Sequence, residues 1–496
     1  MNIYSDLITL MENGRINEYE RPLKIYERSY YRDGSTSLLM IKDDGENRII
    51  AAGTGDIFDG LAGENLEDVK ICPLSHANRQ VLNKYIGFTN PEAAGKKRAS
   101  IGLGDRLGRA TPGHLKAVQG RGVFPVLAQQ SIRELTLTGR DYNDVLDDAV
   151  FAVLQEGYSG GFGADGDHLK TAEEVALALS LGYTMITLDC SGDIHGTALI
   201  MDGPELEKAL ENVPADLKKR YASTYLGKTF TVGKFAISCD EETLGRIMLT
   251  YYRALQFIKI IYDEHIAHNN KPVDFEISID ETSVPTSPVA HYIIARELQY
   301  ADIDITSLAP RFCGEFQKGV DYIGDMGRFE EEFKIHAAIA EEFCYKISIH
   351  SGSDKFSIFP IIGKYTGGIY HVKTAGTNWL EAMKVIALRD PGLYREIHAF
   401  ALEHFGEARK YYHVTTDVEA IKPLASKNDD ALTDYLCENN GRQLLHITYG
   451  LILQAKNESG GYIFKDRLFS VIDKYEDQYK GLLARHIGKH LDLLGI

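Results

Sequence analysis

Eight short apolar runs in the chain each lead into side chains that can ligate a metal, move a proton or grip an anion. ASIGLG (99–104) is followed by Asp105 and Arg106, and VFPVLAQ (123–129) ends in Gln129, Gln130 and Ser131. YSGGFGAD (158–165) brings Asp165, Asp167 and His168; YTMITLD (183–189) brings Asp189 and Ser191. VDFEISID (273–280) carries Glu276 within the run, then Asp280 and Glu281. DIDITSLA (302–309) leads to Arg311 and Glu315, YKISIHS (345–351) holds His350, and IYHVKTAG (369–376) holds His371 and Lys373. Imidazoles beside carboxylates suit zinc, manganese, iron, cobalt or nickel, whereas magnesium prefers oxygen. His168, His350 and His371, each on a different run, are therefore expected to share one divalent metal cation. Glu276 lies between Phe275 and Ile277 and must point opposite to both. Facing a packed interior, it needs a partner, a metal or a role. Asp167 has a plainer alternative, as the cap of the following helix. His195, His265, His268, His291 and His336 fall in helices or loops and are expected to be solvated.

The elements that must position these residues follow from periodicity. The runs are β-rich and alternate with helical stretches such as YNDVLDDAVFAVLQEG, whose apolar residues recur at i, i+3, i+4 and i+7. Acids at Glu173 and Glu174, just after Thr171, mark a helix start. Strand, helix, strand, repeated eight times, implies parallel pairing through right-handed crossovers. The fold class expected is α/β, a (β/α)8 barrel with its site at the carboxyl ends of the strands. The barrel spans 96–395. An N-terminal α/β appendage (1–95) includes a hairpin in SLLMIKDDGENRIIAAG, turning on DG. An insertion at about 190–272, with a strand pair in TFTVGKFAISCD, is expected as a lid or subdomain. A helical extension (396–496) is expected to pack on the barrel without chemistry.

Bulk composition narrows the function. The 496 residues are 44% hydrophobic and 25% charged, and the formal net charge is -17. So acidic a chain lacks the basic face that nucleic acid requires. No window approaches the ~18 consecutive apolar residues of a membrane span. No basic start precedes an apolar run, so a cytoplasmic location is expected. Six cysteines without a C-x-x-C pair read as buried free thiols. GLGDRLG lacks the dinucleotide fingerprint; no P-loop, G-x-S-x-G or H-E-x-x-H occurs.

Taken together, GLGDRLGRATPGHL, GADGDHLKTAEEV, FEISIDET, LAPRFCGEFQKGVDY, ISIHSGSDKFS and YHVKTAGTNW resemble the tagaturonate epimerase family over nearly the whole chain. The resemblance implies a metal-dependent barrel enzyme that interconverts two ketohexuronates, tagaturonate and fructuronate. The two differ at one carbinol β to the ketone, whose C–H is not acidic. A retro-aldol step can invert that carbon where enolisation cannot. Asp167 and Glu276 are then the acid–base pair. The substrate carboxylate needs a cation, for which Arg311 and Lys373 are the candidates and Arg106 the reserve; Gln130 is placed among the substrate contacts. A ketose 3-epimerase or sugar aldolase is the competing enzyme reading, and a sugar-acid sensor the non-enzymatic one. Oligomeric state is left open.

Overall fold

The computed structural model describes residues 3–16, 19 and 23–496. Eight parallel strands close into a barrel: β1 Ala99–Leu103, β2 Val123–Ser131, β3 Gly163–Leu169, β4 Met185–Asp189, β5 Asp274–Ile279, β6 Ser307–Pro310, β7 Lys346–Ile349 and β8 Tyr370–Thr374. Each overlaps one of the eight apolar runs. β8 pairs with β1 through His371–Ser100 and Lys373–Gly102, which closes the ring. β3 departs most from expectation. It begins at Gly163, so Asp165, Asp167 and His168 lie in the strand, not beyond it. The following helix, Ala172–Leu181, is capped by Thr171 in a reciprocal capping box with Glu174. Asp167 is thereby released from the capping role that was its alternative.

Before the barrel, the hairpin Thr36–Asp43/Glu46–Gly53 turns on Asp44 and Gly45, with φ of 47° and 82°. Positive φ at both central residues is what a two-residue hairpin needs, and Asp-Gly supplies it. The hairpin belongs to a five-stranded antiparallel sheet. Its apolar face, including Leu38, Met40 and Ile49, packs on Phe151 and Leu154 of the barrel helix Tyr142–Glu156.

The insertion after β4 holds a small hairpin, Phe230–Val232 with Phe235–Ile237, and the long helix Glu241–Ile261. It contributes to the main barrel core through Tyr221, Leu244 and Tyr251. None of its residues lines the cavity described below. Of the lid or subdomain expected there, the structure shows a segment that joins the main core and stays clear of the cavity. Covering is done by the loop after β6 and by Tyr411, Tyr412 and His413 of the C-terminal extension. That extension packs around Trp379 and Tyr449 in a core of its own.

Two expectations are corrected. His291 and His336 are fully buried and face each other, Nδ1 to Nδ1, at 2.9 Å, with Tyr345 Oη on His291 Nε2 at 2.5 Å. Helix burial on both faces, not solvent, surrounds them. Cys344 and Cys437 are exposed, while Cys72, Cys190 and Cys313 are buried; all are free thiols. No helix among the described residues is long and apolar enough to cross a membrane.

Candidate active site

A cavity of about 760 Å³ opens at the carboxyl ends of the strands. Its floor holds an ion cluster centred on Lys373. The Lys373 ammonium lies 2.7 Å from Asp165, 2.7 Å from Asp167 and 2.9 Å from Glu276, and it also donates to Thr187. Three carboxylates around one ammonium leave an excess of negative charge on the cavity floor. Burial would push the Asp167 and Glu276 carboxyls up. Lys373, with His168 beside Asp167 and His350 beside Glu276, outweighs burial and holds both well below the usual carboxylate range. Asp165 differs: burial and the two neighbouring carboxylates outweigh Lys373 and raise it to about 6.

His168 and His350 stand over this cluster with ring centroids 4.9 Å apart. His168 Nδ1 lies 2.7 Å from Asp167, and His350 Nε2 lies 2.8 Å from Glu276. Each histidine thus has one nitrogen fixed by a carboxylate and the other turned elsewhere. That is how metal-binding imidazoles are oriented. His350 Nδ1 is a buried atom without a hydrogen-bond partner; Asp280 Oδ1 is 3.3 Å away but off the line of a hydrogen bond. Burial lowers the His350 pKa, but Asp280 and Glu276 outweigh it and raise it to about 10. A field that holds a proton this firmly also favours a metal ion. His168, Asp280 and His350 each offer a ligand atom within 4.8 Å of the others. The donor set, two imidazoles and a carboxylate with carboxylates behind them, fits a divalent metal. His168 has φ of 58°, a left-handed backbone uncommon outside glycine and often found at functional sites.

The structure brings His168 and His350 together but not His371, the third histidine of the expected set. It faces the barrel interior two residues before Lys373, is fully buried, and its Nδ1 lies 2.9 Å from Ser100 Oγ. Lys346 donates to the same hydroxyl at 2.7 Å. Burial lowers the His371 pKa to about 3, so it is a neutral core residue. Asp280, named in the sequence only as a strand-end acid, is the residue that stands with the two histidines.

The expected substrate contacts divide. Arg311 lines the cavity, and no ion pair of its guanidinium is found among the described residues. Lys373 lines it too, but its charge is spent on three carboxylates, so it is unsuited to hold a fourth. Arg106 is 1% exposed, paired with Glu134 at 2.8 Å and stacked 3.8 Å from the Tyr449 ring centroid; it does not line the cavity. Gln130 is buried behind the wall, and its neighbour Gln129 faces the cavity instead, donating to Asp167 at 3.2 Å. Alternation along β2 explains the exchange, because successive side chains point to opposite faces. Sequence reasoning passed over Lys318, which stands in the quoted LAPRFCGEFQKGVDY and lines the cavity.

A second cluster, Asp354, His486 and His490, also has ligand-like spacing. Its donors are already used. His486 bonds to Asp354 and pairs with Glu381 at 2.9 Å; His490 accepts from the Asp354 backbone and its other nitrogen lies 2.9 Å from the His486 carbonyl. Arg442 closes the network on Asp354 at 2.8 Å. It is a brace for the loop that follows His350.

Residues 26–494 match the tagaturonate epimerase family. The chain is 41% identical over 484 residues to the tagaturonate/fructuronate epimerase of Thermotoga maritima, covering 96% of this chain and 98% of that one. It is 52% identical to the fructuronate–tagaturonate epimerase of Cohnella laeviribosi, over 99% of both chains. The native crystal structure of that protein superposes with a TM-score of 0.95, as does its one-glycerol complex. The barrel, the site at its carboxyl end and these likenesses agree: the chain belongs to the tagaturonate epimerase family.

Proposed function

We propose that the protein interconverts tagaturonate and fructuronate by inverting the carbinol β to the ketone, through retro-aldol cleavage and re-addition, with a divalent metal at His168, His350 and Asp280. The observation that carries this is the pair of carboxylate-oriented histidines facing a cavity whose floor holds Asp167 and Lys373. A divalent ion held there supplies a Lewis acid without a redox change.

The chain's own groups do the rest. Asp167 lies on the cavity wall and takes the hydroxyl proton of the carbinol. The bond between that carbon and the one next to the ketone breaks. Its electrons pass to the latter carbon, giving an enediolate, and the former carbinol becomes an aldehyde. The aldehyde turns, the bond re-forms on its other face, and the new alkoxide recovers a proton. Glu276 lies beneath Lys373 and does not line the cavity, so it acts as the second station through the Lys373 ammonium 2.9 Å away. Arg311, at the rim, contacts substrate oxygens.

The deciding assay is conversion of fructuronate to tagaturonate by purified enzyme, before and after chelation and after adding single divalent metals back. Turnover untouched by a chelator that strips all bound metal would remove the metal from the proposal. Asp167→Asn keeps the shape and removes the base. Loss of one acid–base group costs about 10²–10⁴-fold in rate. The kcat of Asp167→Asn should fall within that range with metal still bound, and a near-native kcat would assign the base elsewhere.

The bond that breaks can be read by isotope. Retro-aldol chemistry exchanges only the hydroxyl proton, so epimerisation in deuterated water should leave no deuterium on the inverted carbon. Transient oxidation could also retain that hydrogen. A carbon isotope effect at both atoms of the broken bond, in enzyme free of nicotinamide, separates the two. Solvent deuterium on the inverted carbon would favour the proton-abstraction route of a ketose epimerase.

A further inference from the structure

Lys318 is a cation without an anion. It projects from the loop after β6 into the cavity, where its ammonium lies 3.2 Å from the Ser351 hydroxyl. Among the described residues no ion pair of Lys318 is found. Arg311 and Arg133, on the same cavity wall, likewise have no ion pair among the described residues, with Arg133 against the Tyr412 ring; the other neighbouring cations are matched. Arg106 has Glu134, Lys373 has three carboxylates, Arg442 has Asp354, and Lys355 donates to the carbonyls of Gln317, Val320 and Ser353. In a chain of net charge -17, an enclosed ammonium left with one hydroxyl stands out. Burial pushes its pKa down, the response of a charge that lacks a counterion.

The surroundings of Lys318 hold both signs: Glu134 and Asp167 favour its charge, Arg106 and Arg133 oppose it. Gly319, its neighbour, and Gly376 both lie against the ring of His446: a Cβ on Gly319 would sit 3.1 Å from Nδ1, and one on Gly376 would sit 1.9 Å from Cε1. Only glycine at these two positions lets the β6 loop and the end of β8 close on that ring. Gly376 is the N-cap of the 13-residue helix Thr377–Arg389 and makes no side-chain cap. The positive end of a helix dipole therefore lies behind this corner, with the His446 ring against it. Behind the cavity wall, not on it, stand buried polar atoms without partners: both ring nitrogens of His446, Thr377 Oγ1 and Arg106 Nη1. His446 is fully buried and Arg106 is 1% exposed. Glu134, a nearby acid that also lines the cavity, takes both of its bonds from Arg106 on one oxygen, Oε1, and makes no ion pair with Lys318.

We propose that this corner, Lys318 backed by the His446 ring and the helix N-terminus at Gly376, is the subsite for the substrate's carboxylate, and that Lys318 is what selects a sugar acid over a neutral ketose. The inference rests on the epimerase reading and adds the anchor that it lacks. A carboxylate held here fixes the far end of the fragment whose aldehyde must turn, while Arg311 touches the rim.

The test uses Lys318→Gln, Lys318→Arg and wild type. Substrates are fructuronate and neutral fructose; probes are tartronate and glycerol. A charge-assisted hydrogen bond corresponds to about 10–100-fold in binding. Lys318→Gln should raise the KM for fructuronate by that factor, with kcat little changed and any turnover of fructose unaffected. Lys318→Arg should recover most of the loss. In wild type, tartronate but not glycerol should protect Lys318 from reductive methylation, read by mass spectrometry. This arm needs neither a variant that folds nor activity. An active wild type with unprotected Lys318, or a Lys318→Gln enzyme with unchanged KM, overturns the subsite alone. A wild type inactive on both uronates overturns the epimerase reading instead.

Discussion

Replacing His168 or His350 by alanine should abolish bound metal and turnover together, whereas His371→Ala should keep the metal. A Lewis acid contributes several kcal/mol to such a reaction, so activity should fall about 10³-fold or more. The first two residues offer ring nitrogens to a shared point with Asp280. His371 is spent on Ser100 in the barrel core, and removing it costs packing instead. Metal content per chain, measured by mass spectrometry of dialysed protein beside a melting curve, separates these outcomes. Full metal occupancy in both His168→Ala and His350→Ala would defeat the assignment. Loss of metal in His371→Ala, with the fold intact, would restore the three-histidine set.

Lys373→Met should produce the largest loss of stability of any single change at the site. It leaves Asp165, Asp167 and Glu276 facing one another without their shared cation. Removing one partner of a buried ion pair costs about 3–5 kcal/mol. The pH dependence should reverse as well. In the native protein Asp167 and Glu276 are held below their unfolded pKa values. The stability they add is present above the unfolded carboxylate range and is lost as pH falls through their folded values. Without Lys373, Asp167 keeps His168 and Glu276 keeps His350, but Asp165, already raised to about 6 by burial and its neighbours, loses the cation that lowers it and rises further above its unfolded value. Lys373→Met should then gain stability as pH drops from 8 to 5. Urea unfolding of apo protein at both pH values measures the slope, and a variant as stable as wild type at pH 8 would show that the cluster is not what holds the floor.

The barrel was legible because its strands are buried on both faces and read as continuous apolar runs between helices. The acids and histidines at their ends were legible for the same reason. Height within the barrel was not. His371 and Lys373 share a face of β8, and their spacing of two does not say which reaches the cavity. Only the neighbours across β1 and β7 decide that, and they are fixed by register. Asp280 was visible at the end of β5 but lost to His371, because three histidines make the simpler pattern. Gln130 failed against Gln129 by one step of alternation. Arg106 looked free until Glu134, 28 residues on, was placed beside it. The extension past residue 396 looked inert because its partners are far away in sequence. Tyr411, Tyr412 and His413 reach the cavity, and Arg442 braces Asp354.

That brace bears on when the enzyme becomes active during its synthesis. His350 and the loop after it are made long before His486, which grips Asp354 from 132 residues further on. A chain leaving the ribosome presents β7 and its neighbours well before that helix is made. The loop above them has no anchor until the last helix, Glu476–Leu494, docks on the barrel. Asp354 meanwhile holds a left-handed backbone, φ 63°, that is costly without its partners. Nascent chains halted before residue 486 lack this brace and also Ile487, Leu491 and Leu494 of the main core, and should be silent in catalysis; the site gains its working shape only with the helix Glu476–Leu494.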